Sequence, residues 1–457
     1  MKKIIFFIAL FFCFNVIFSQ NVQIEGRSNT PNTLVRLFVI DDFVSWEEKL
    51  LAQTQTDSEG FFSLQVSISD ICFAHIAFNS ERSDIILSPN TSFKIDVECR
   101  SRDTLFSYFD RFPPAILIEK VNDNNLNKQI ATIDNFTSAF ILDHFNDLYR
   151  KRRYELLDSL KKRVFKIILN PSVYVKQYAD YKIATVKQAV NRGENRKLMN
   201  DYFIGKPVLY NQPAYFELFK SLFSNYFNST TSFTAQEFNK TFLAGYDAFR
   251  NYLKNDTLLA KNNRLAELII IENLNQLYHQ QAEYQETVLY YINEIGKKTP
   301  YNEHKTIAQN LYKKLSRMAI DSPAPDFKLV DQHGKTHQLA DYKNYFVLLQ
   351  FIDKHCIVCS KQLDELKLLQ DEFGAKVKFI TLATEDAYAE TRKLFEQKNI
   401  SWPLLNLGKD VMLLEAYQTS IFPDYIILKP NNKVGMAPAP EPEQYLDYHL
   451  RHIISHE

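Results

Sequence analysis

The chain has 457 residues, of which 46% are hydrophobic, 14% aromatic and 24% charged; at about 150 residues per domain this points to roughly three domains. Its 54 basic and 54 acidic residues cancel, which removes the cationic footprint of a nucleic-acid binder or a polybasic membrane-surface protein. Ten glycines in the whole chain are too few to build a glycine-rich phosphate cradle of P-loop or Rossmann type.

The first element is an address. Lys2 and Lys3 precede an apolar run from Ile4 to Phe18, and the run ends in the small residue Ser19. This is the pattern of a cleaved secretory signal over residues 1–19, shorter than the about 18–20 apolar residues of a membrane anchor. Cys13 follows Phe11 and Phe12 rather than small residues, which argues against a lipoprotein. Cleavage leaves 52 basic against 54 acidic residues and four cysteines, Cys72, Cys99, Cys356 and Cys359. No second stretch is apolar enough to span a bilayer, so the sequence predicts an exported chain with no transmembrane span after signal cleavage, in a compartment that permits disulfides.

Residues 20–112 carry short β-type runs. Val22–Ile24, Thr33–Phe38, Phe61–Val66 and Phe93–Val97 alternate or are rich in β-formers, with turns at Asp57–Gly60 and Ser88–Asn90. Regular strands of this length predict a small β-sandwich. Cys72 and Cys99 fall on separate runs, and two readings stay open for them: a disulfide or two buried free thiols.

Residues 113–318 change to helical period from about Pro114. Phe140, Leu142, Phe145, Leu148 and Tyr149 recur at helical steps, as do Leu265, Leu268, Ile269, Ile271, Leu274, Leu277 and Tyr278. No fixed repeat is present, so this is an α-helical domain and not a recognisable solenoid. Its aromatic residues read as packing, with a groove for a peptide or lipid as the alternative.

Residues 319–457 alternate strand and helix. A hairpin is predicted around Asp331–Gly334, then an apolar strand Phe346–Ile352, a helix from Ile357 to Phe373 stopped by Gly374, strand Val377–Leu382, helix Ala387–Lys398, helix Val411–Tyr417, strands Asp424–Leu428 and Lys433–Met436, and helix Glu441–Ile454. Such alternation predicts an α/β domain with a central sheet covered by helices.

The chemistry sits in Cys356-Ile-Val-Cys359, at the end of the buried strand and the start of a helix. Backbone N–H groups and the helix dipole there favour a thiolate on the first cysteine, and the second lies one turn away. Such a pair can attack a disulfide, form a mixed disulfide and release it. Zinc would need further ligands, and His333 and His337 fall on the hairpin; a purely structural disulfide in so short a loop adds little stability. His449, His452 and His456 share one face of the last helix and read as solvated, with a metal site as the alternative. No metal and no cofactor is called for.

Residues 322–457 resemble the exported thioredoxin-like proteins of the TlpA/ResA type, within the AhpC/TSA superfamily. The resemblance rests on Ser322-Pro-Ala-Pro-Asp-Phe327 with Leu329 and Gly334, on Val347–Phe351 leading into the Cys-x-x-Cys pair, on Ile421-Phe-Pro-Asp-Tyr-Ile-Ile-Leu428, and on the 64 residues between Cys359 and Pro423. It implies a thioredoxin-like fold and a periplasmic or cell-envelope thiol-disulfide oxidoreductase of Gram-negative type. Cys356 would be the nucleophile and Cys359 the resolving thiol, with a cis-proline at Pro423 opposite them and Phe422 and His355 beside the substrate. The partners implied are exported proteins bearing disulfides or thiols and an unidentified envelope electron donor. The sequence departs from the pattern in three places: His355 replaces the usual Trp, Ile357-Val358 lacks the usual proline, and Gln350 stands where thioredoxins bury a carboxylate. Glu385 or Asp386 are candidates to supply that missing acid. Asp353, three residues before Cys356, argues against a peroxidase, which has Thr or Ser there. The alternative function is a non-catalytic thioredoxin-like scaffold of the cell envelope.

Overall fold

The computed structural model describes residues 21–79, 81–99, 113–121, 126–261, 263–354, 356, 358–408, 412–419 and 421–456. The predicted signal, residues 1–19, lies outside the described residues.

Eight described strands open the chain: β1 Asn21–Ser28, β2 Leu34–Ile40, β3 Glu48–Gln55, β4 Phe61–Ser67, β5 Cys72–Phe78, β6 Glu81–Leu87, β7 Ser92–Glu98 and β8 Ala115–Val121. Strand β4 buries Phe62, Leu64 and Val66 and exposes the residues between them, and β7 does the same with Phe93, Ile95 and Val97. That period of two turns one face of each strand inward. The strands form two four-stranded sheets, ordered β4-β1-β7-β8 and β3-β2-β5-β6. Ile24, Leu64 and Ile95 of the first meet Leu37, Ile76 and Leu87 of the second in one core. Gly26 of β1 is required there, because a Cβ would come within 2.5–2.8 Å of Phe62 and Ile95 side-chain carbons.

The helical period read from Pro114 starts too early: Ala115–Val121 is β8, antiparallel to β7. A short apolar run such as Ala-Ile-Leu-Ile has no period of its own that separates strand from helix.

Eleven described α-helices follow: α1 Leu126–Asp143, α2 Glu155–Ile167, α3 Val173–Val190, α4 Asn195–Tyr202, α5 Pro213–Phe223, α6 Tyr226–Ser229, α7 Ala235–Leu243, α8 Tyr246–Leu253, α9 Arg264–Gln280, α10 Gln285–Lys298 and α11 Asn302–Ser316. Their starts carry ordinary signals. The side chains of Ser172, Thr234 and Asn263 accept N-terminal N–H groups of α3, α7 and α9, and Pro213 occupies the first turn of α5. Helix α9 is apolar nearly all round and lies at the centre, burying Leu265 through Leu274. The stripe predicted from Phe140 to Tyr149 holds only in part. Phe140 and Leu148 are buried, whereas Leu142, Phe145 and Tyr149 are exposed, because α1 ends at Asp143 and a π-helical turn over Asn146–Arg150 changes the phase.

The C-terminal part begins with the hairpin β9 Lys328–Val330 and β10 Thr336–Gln338. It continues through β11 Phe346–Ile352, α12 Cys359–Phe373, β12 Val377–Ala383, α13 Glu385–Gln397, β13 Leu404–Asn406, α14 Met412–Ala416, β14 Asp424–Lys429, β15 Lys433–Ala439 and α15 Leu446–Ser455. Five strands make one sheet in the order β13-β12-β11-β14-β15. Strand β11 is parallel to β12 and antiparallel to β14. Every residue of β11 is buried, as a central strand with cover on both faces requires. Leu363 and Leu366 of α12, Phe395 of α13 and Leu450 of α15 cover one face. Phe327, Tyr342, Leu414 and Tyr417 cover the other.

The three parts touch. Asn310 Nδ2 of α11 donates to Asp41 Oδ2 at 2.7 Å and Asp42 Oδ2 at 3.0 Å, and Lys314 Nζ donates to the Ser45 carbonyl at 2.6 Å. Arg82 of β6 grips Glu415 of α14 with two nitrogens, at 2.5 and 2.8 Å, and reaches Glu48 at 3.1 Å.

Candidate active site

The buried strand β11 delivers the chain to its edge at Ile352, and the dithiol turn follows. The Asp353 carbonyl accepts from the Cys356 N–H at 3.3 Å, and the Cys356 carbonyl accepts from the Cys359 N–H at 3.3 Å. Cys356 and Cys359 form a disulfide with their Cα atoms 5.4 Å apart. Helix α12 starts at Cys359, so both sulfurs sit at its positive end, where developing thiolate charge is stabilised. Cys356 is half-buried, while Cys359 keeps only 5% of its surface. His355 and Ile357 lie outside the described residues.

The Phe422–Pro423 peptide is cis. Pro423 is buried and Phe422 half-buried, while Ile421 beside them is 68% exposed. Asp424, next in the chain, pairs with Phe351 of β11, and burial pushes its carboxyl up to about 6. In the sequence Asp424 carries no signal of its own, standing at the edge of an apolar strand.

Beneath the dithiol runs a line of buried polar side chains. Trp402 Nε1 donates to Thr381 Oγ1 at 2.9 Å, and Thr381 donates to Gln350 Oε1 at 2.9 Å. Gln350 Nε2 donates to the Tyr425 hydroxyl at 2.9 Å, which donates to Gln362 Oε1 at 2.8 Å. Gln362 Nε2 ends the line on Glu441 Oε2 at 2.6 Å and Glu443 Oε2 at 3.1 Å. Burial holds the Tyr425 hydroxyl far above its ordinary range, so it remains a donor. Gln350 is thus not a bare gap left by a missing carboxylate. Gln362 was missed, although its place three residues beyond Cys359 puts both on one helix face. Glu441 and Glu443 read as acids opening the last helix. Instead Glu441 precedes and Glu443 lies within a short 3₁₀ turn, Pro442–Gln444, ahead of α15. Glu385 and Asp386 occupy the first turn of α13 and are exposed.

The remaining candidates lie elsewhere. His337 is buried between Asp331 Oδ2, at 2.8 Å, and the Tyr342 hydroxyl, at 2.5 Å, and His333 is exposed. Among the described residues no group of three or more His, Cys, Asp or Glu could hold a metal; of the terminal histidines, His456 Nδ1 lies 2.8 Å from the His452 carbonyl. Cys72 and Cys99 are free thiols, and burial, with Asp70 nearby, pushes Cys72 up to about 11. A cavity of about 880 Å³ lies between the β-sheets and the helices, walled by Phe43, Phe73, Ile116, Tyr178 and Phe216, with no lining residue from the dithiol domain.

Residues 320–436 match the AhpC/TSA family. The C-terminal domain is TlpA/ResA-like. It is 26% identical over 132 residues to the thiol-disulfide oxidoreductase ResA of Geobacillus thermodenitrificans (strain NG80-2), covering 28% of this chain and 74% of that protein. It is 26% identical over 114 residues to ResA of Bacillus subtilis (strain 168), covering 25% and 63%. Among solved structures it is similar to the thioredoxin domain of a thiol-disulfide oxidoreductase from Bacteroides vulgatus, with 24% identity, 30% and 98% coverage and a TM-score of 0.28. It is also similar to a thiol:disulfide interchange protein from Bacteroides sp., with 23% identity, 30% and 92% coverage and a TM-score of 0.28. The sequence matches place the TlpA/ResA-like domain over the stretch that holds the dithiol, the Phe422–Pro423 bond and most of the polar line.

Proposed function

We propose that this protein is a thiol-disulfide oxidoreductase that exchanges disulfides with exported proteins through Cys356-Ile-Val-Cys359. The observation that carries the reading is the Cys356–Cys359 disulfide at the entrance of α12, in a domain whose sequence relatives bear that activity in their names. Cys356 is the better nucleophile because it is the less buried of the two. Its thiolate attacks a client disulfide, one client sulfur leaves, and a mixed disulfide forms. Cys359 then attacks Cys356 sulfur, the second client sulfur leaves reduced, and the dithiol is left oxidised. An envelope electron donor returns it to the reduced state.

In this reading Pro423, Phe422 and His355 line the client side of the site. The residue 1–19 signal delivers the chain to the periplasm or cell envelope. The dithiol domain over 319–457 follows a helical domain and an N-terminal domain, with β8 assigned to the latter, and the two N-terminal sheets pack as a β-sandwich. The test is trapping. Cys359→Ser should accumulate mixed disulfides with exported proteins and Cys356→Ser should accumulate none. The intact mature chain should also reduce insulin with dithiothreitol as donor. A chain that reduces no protein disulfide and traps no client would instead be a scaffold.

A further inference from the structure

The polar line beneath the dithiol has a fixed direction. An indole N–H can only donate, and Trp402 stands at one end; at the other the Glu441 and Glu443 carboxyl oxygens accept from the Gln362 amide. Between these ends each hydroxyl and amide has one arrangement that satisfies all its neighbours: Thr381 donates onward, Gln350 presents its oxygen to Thr381 and its nitrogen to Tyr425, and Gln362 does likewise toward the carboxylates. A carboxylate at position 350 would draw the Tyr425 proton back toward itself, and one at position 362 would face Glu441 and Glu443 as a like charge. Amides at both positions therefore belong to one arrangement, in which the acid is displaced from the central strand to the segment before α15.

Exchange needs a proton acceptor at Cys359. The Cys359 thiol must lose its proton before its sulfur can attack Cys356 in a mixed disulfide. Gln362 is 1% exposed and lies one turn beyond Cys359, with about 5–6 Å between Cβ atoms at that spacing. Among the described residues, the other titratable groups at the dithiol ends of the surrounding elements are Asp353 and Lys354 after β11, Lys361, Asp364 and Glu365 on α12, Glu385 and Asp386 on α13, and Asp424 and Tyr425 on β14. Of these, Lys354, Lys361, Asp364, Glu365, Glu385 and Asp386 are exposed to solvent; Glu443 is exposed too, but it and the half-buried Glu441 are bonded to the buried Gln362, and Asp353, buried three residues before Cys356, is the competing acceptor. Asp424 belongs to the part of β14 paired with Phe351, and Phe351 and Gln350 project to opposite faces of β11. Tyr425 stays protonated as a link in the line.

We propose that Gln362 is a positioning residue that holds the Glu441 and Glu443 carboxylates at the foot of the dithiol helix, where they take the proton of Cys359 during resolution. The inference rests on the exchange reading of the dithiol. In the step, one carboxylate takes the proton from Cys359 sulfur, the Cys359–Cys356 bond forms, and the Cys356–client sulfur bond breaks. The electron pair leaves on the client sulfur, and the carboxylate returns its proton to solvent. Gln362 carries no proton; it fixes where the acceptors stand.

The test uses an aromatic disulfide, 5,5′-dithiobis(2-nitrobenzoate), with the reduced mature chain in a Cys72→Ala, Cys99→Ala background. Attack by Cys356 releases one coloured thiolate, and resolution by Cys359 releases the second. In Glu441→Gln/Glu443→Gln and in Gln362→Leu the first release should keep its rate. The second should slow by at least about tenfold at neutral pH, with the gap closing at alkaline pH as hydroxide replaces the carboxylates. A second phase within about twofold of the unsubstituted rate from pH 6 to 9 in the Glu pair variant would overturn the proposal, as would a background protein that never releases the second thiolate. Two normal phases without insulin reduction would count against the client reading alone, since the proton step is read without any protein client.

Discussion

Asp424 shows how one residue can tax a site for chemistry. It is 9% exposed, and burial raises its carboxyl from the ordinary range to about 6. A buried carboxylate with a raised folded-state value binds its proton more tightly in the native than in the unfolded chain. Its sign follows: stability is greatest below the unfolded value near pH 4, falls as pH rises toward 6, and stays reduced above that. A shift of about two units corresponds to a penalty of up to about 3 kcal/mol at neutral pH. Asp424→Asn should therefore unfold at higher denaturant than the parent at pH 7 and lose that advantage below pH 4, as read by urea titration of the dithiol domain's transition at both pH values. Equal midpoints at both would mean that Asp424 finds compensation in the folded chain. At this same scale the cysteine pair was legible, because two thiols three positions apart after an apolar strand carry their own chemistry. The glutamines were not legible, because an amide has no chemistry until its partners are known, and those partners, Tyr425 and Glu441, lie 63 and 79 residues away from Gln362.

At the scale of elements, legibility followed length and period. The strand Phe346–Ile352 and the stripe of α9 stand out in the sequence because seven consecutive buried residues, or a four-turn helix, leave a long signal. Three-residue β13 leaves none, and β3 exposes or half-exposes every position, so its residues carry no inward alternation. Strand β8 was misplaced for the reason already given, and its partner β7 is what defines it. Where strands do alternate, the pattern constrains even the position with no side chain. Gly26 lies between Phe62 of β4 and Ile95 of β7, with carbon atoms of both inside 3 Å of any added Cβ. Gly26→Val would force those rings and methyls apart in a packed core. The expected cost is about 1–3 kcal/mol, seen as a lower midpoint for the unfolding transition reported by Trp46 fluorescence, with the dithiol domain's transition reported by Trp402 unmoved. A Trp46 midpoint equal to the parent's would show that the sheet opens to admit the side chain.

For the whole molecule, the question is whether the first two parts merely precede the dithiol domain or hold it. The contacts favour holding. Arg82 sits at 17% exposure, stacks over Phe38 with 5.6 Å to the ring centroid, and binds Glu415 with two nitrogens while also meeting Glu48. Glu48 in turn contacts His75 at 2.7 Å, and His75 contacts Asp84 at 3.2 Å. Although burial works against the charge on His75, the hydrogen bonds it donates to the Asp84 and Glu48 carboxylates raise it to about 9. A His with a raised folded value contributes stability that is fully present below its unfolded value near 6.5 and is lost as pH climbs through about 9. On the far side, the Lys314 carbonyl of α11 accepts from Gln418 Nε2 at 2.8 Å, two residues past α14. Helix α14 is thus pinned from both preceding parts. None of this was readable beforehand, because ion pairs separated by 333 positions leave no local pattern. A charge-assisted pair of this geometry contributes about 1.5–3 kcal/mol, so Arg82→Ala should lower the amide-exchange protection of Met412–Ala416 by about tenfold or more while leaving β11 protected. Glu415→Ala should do the same. The double variant should be no worse than Arg82→Ala alone, because that substitution already removes the pair with Glu415. Raising the pH from 7 to 10 should loosen the same segment in the parent chain by titrating His75 and freeing Glu48 to compete for Arg82. Additive losses in the double variant, or protection of α14 that ignores both substitutions, would show that the dithiol domain is tethered to the others and not held by them.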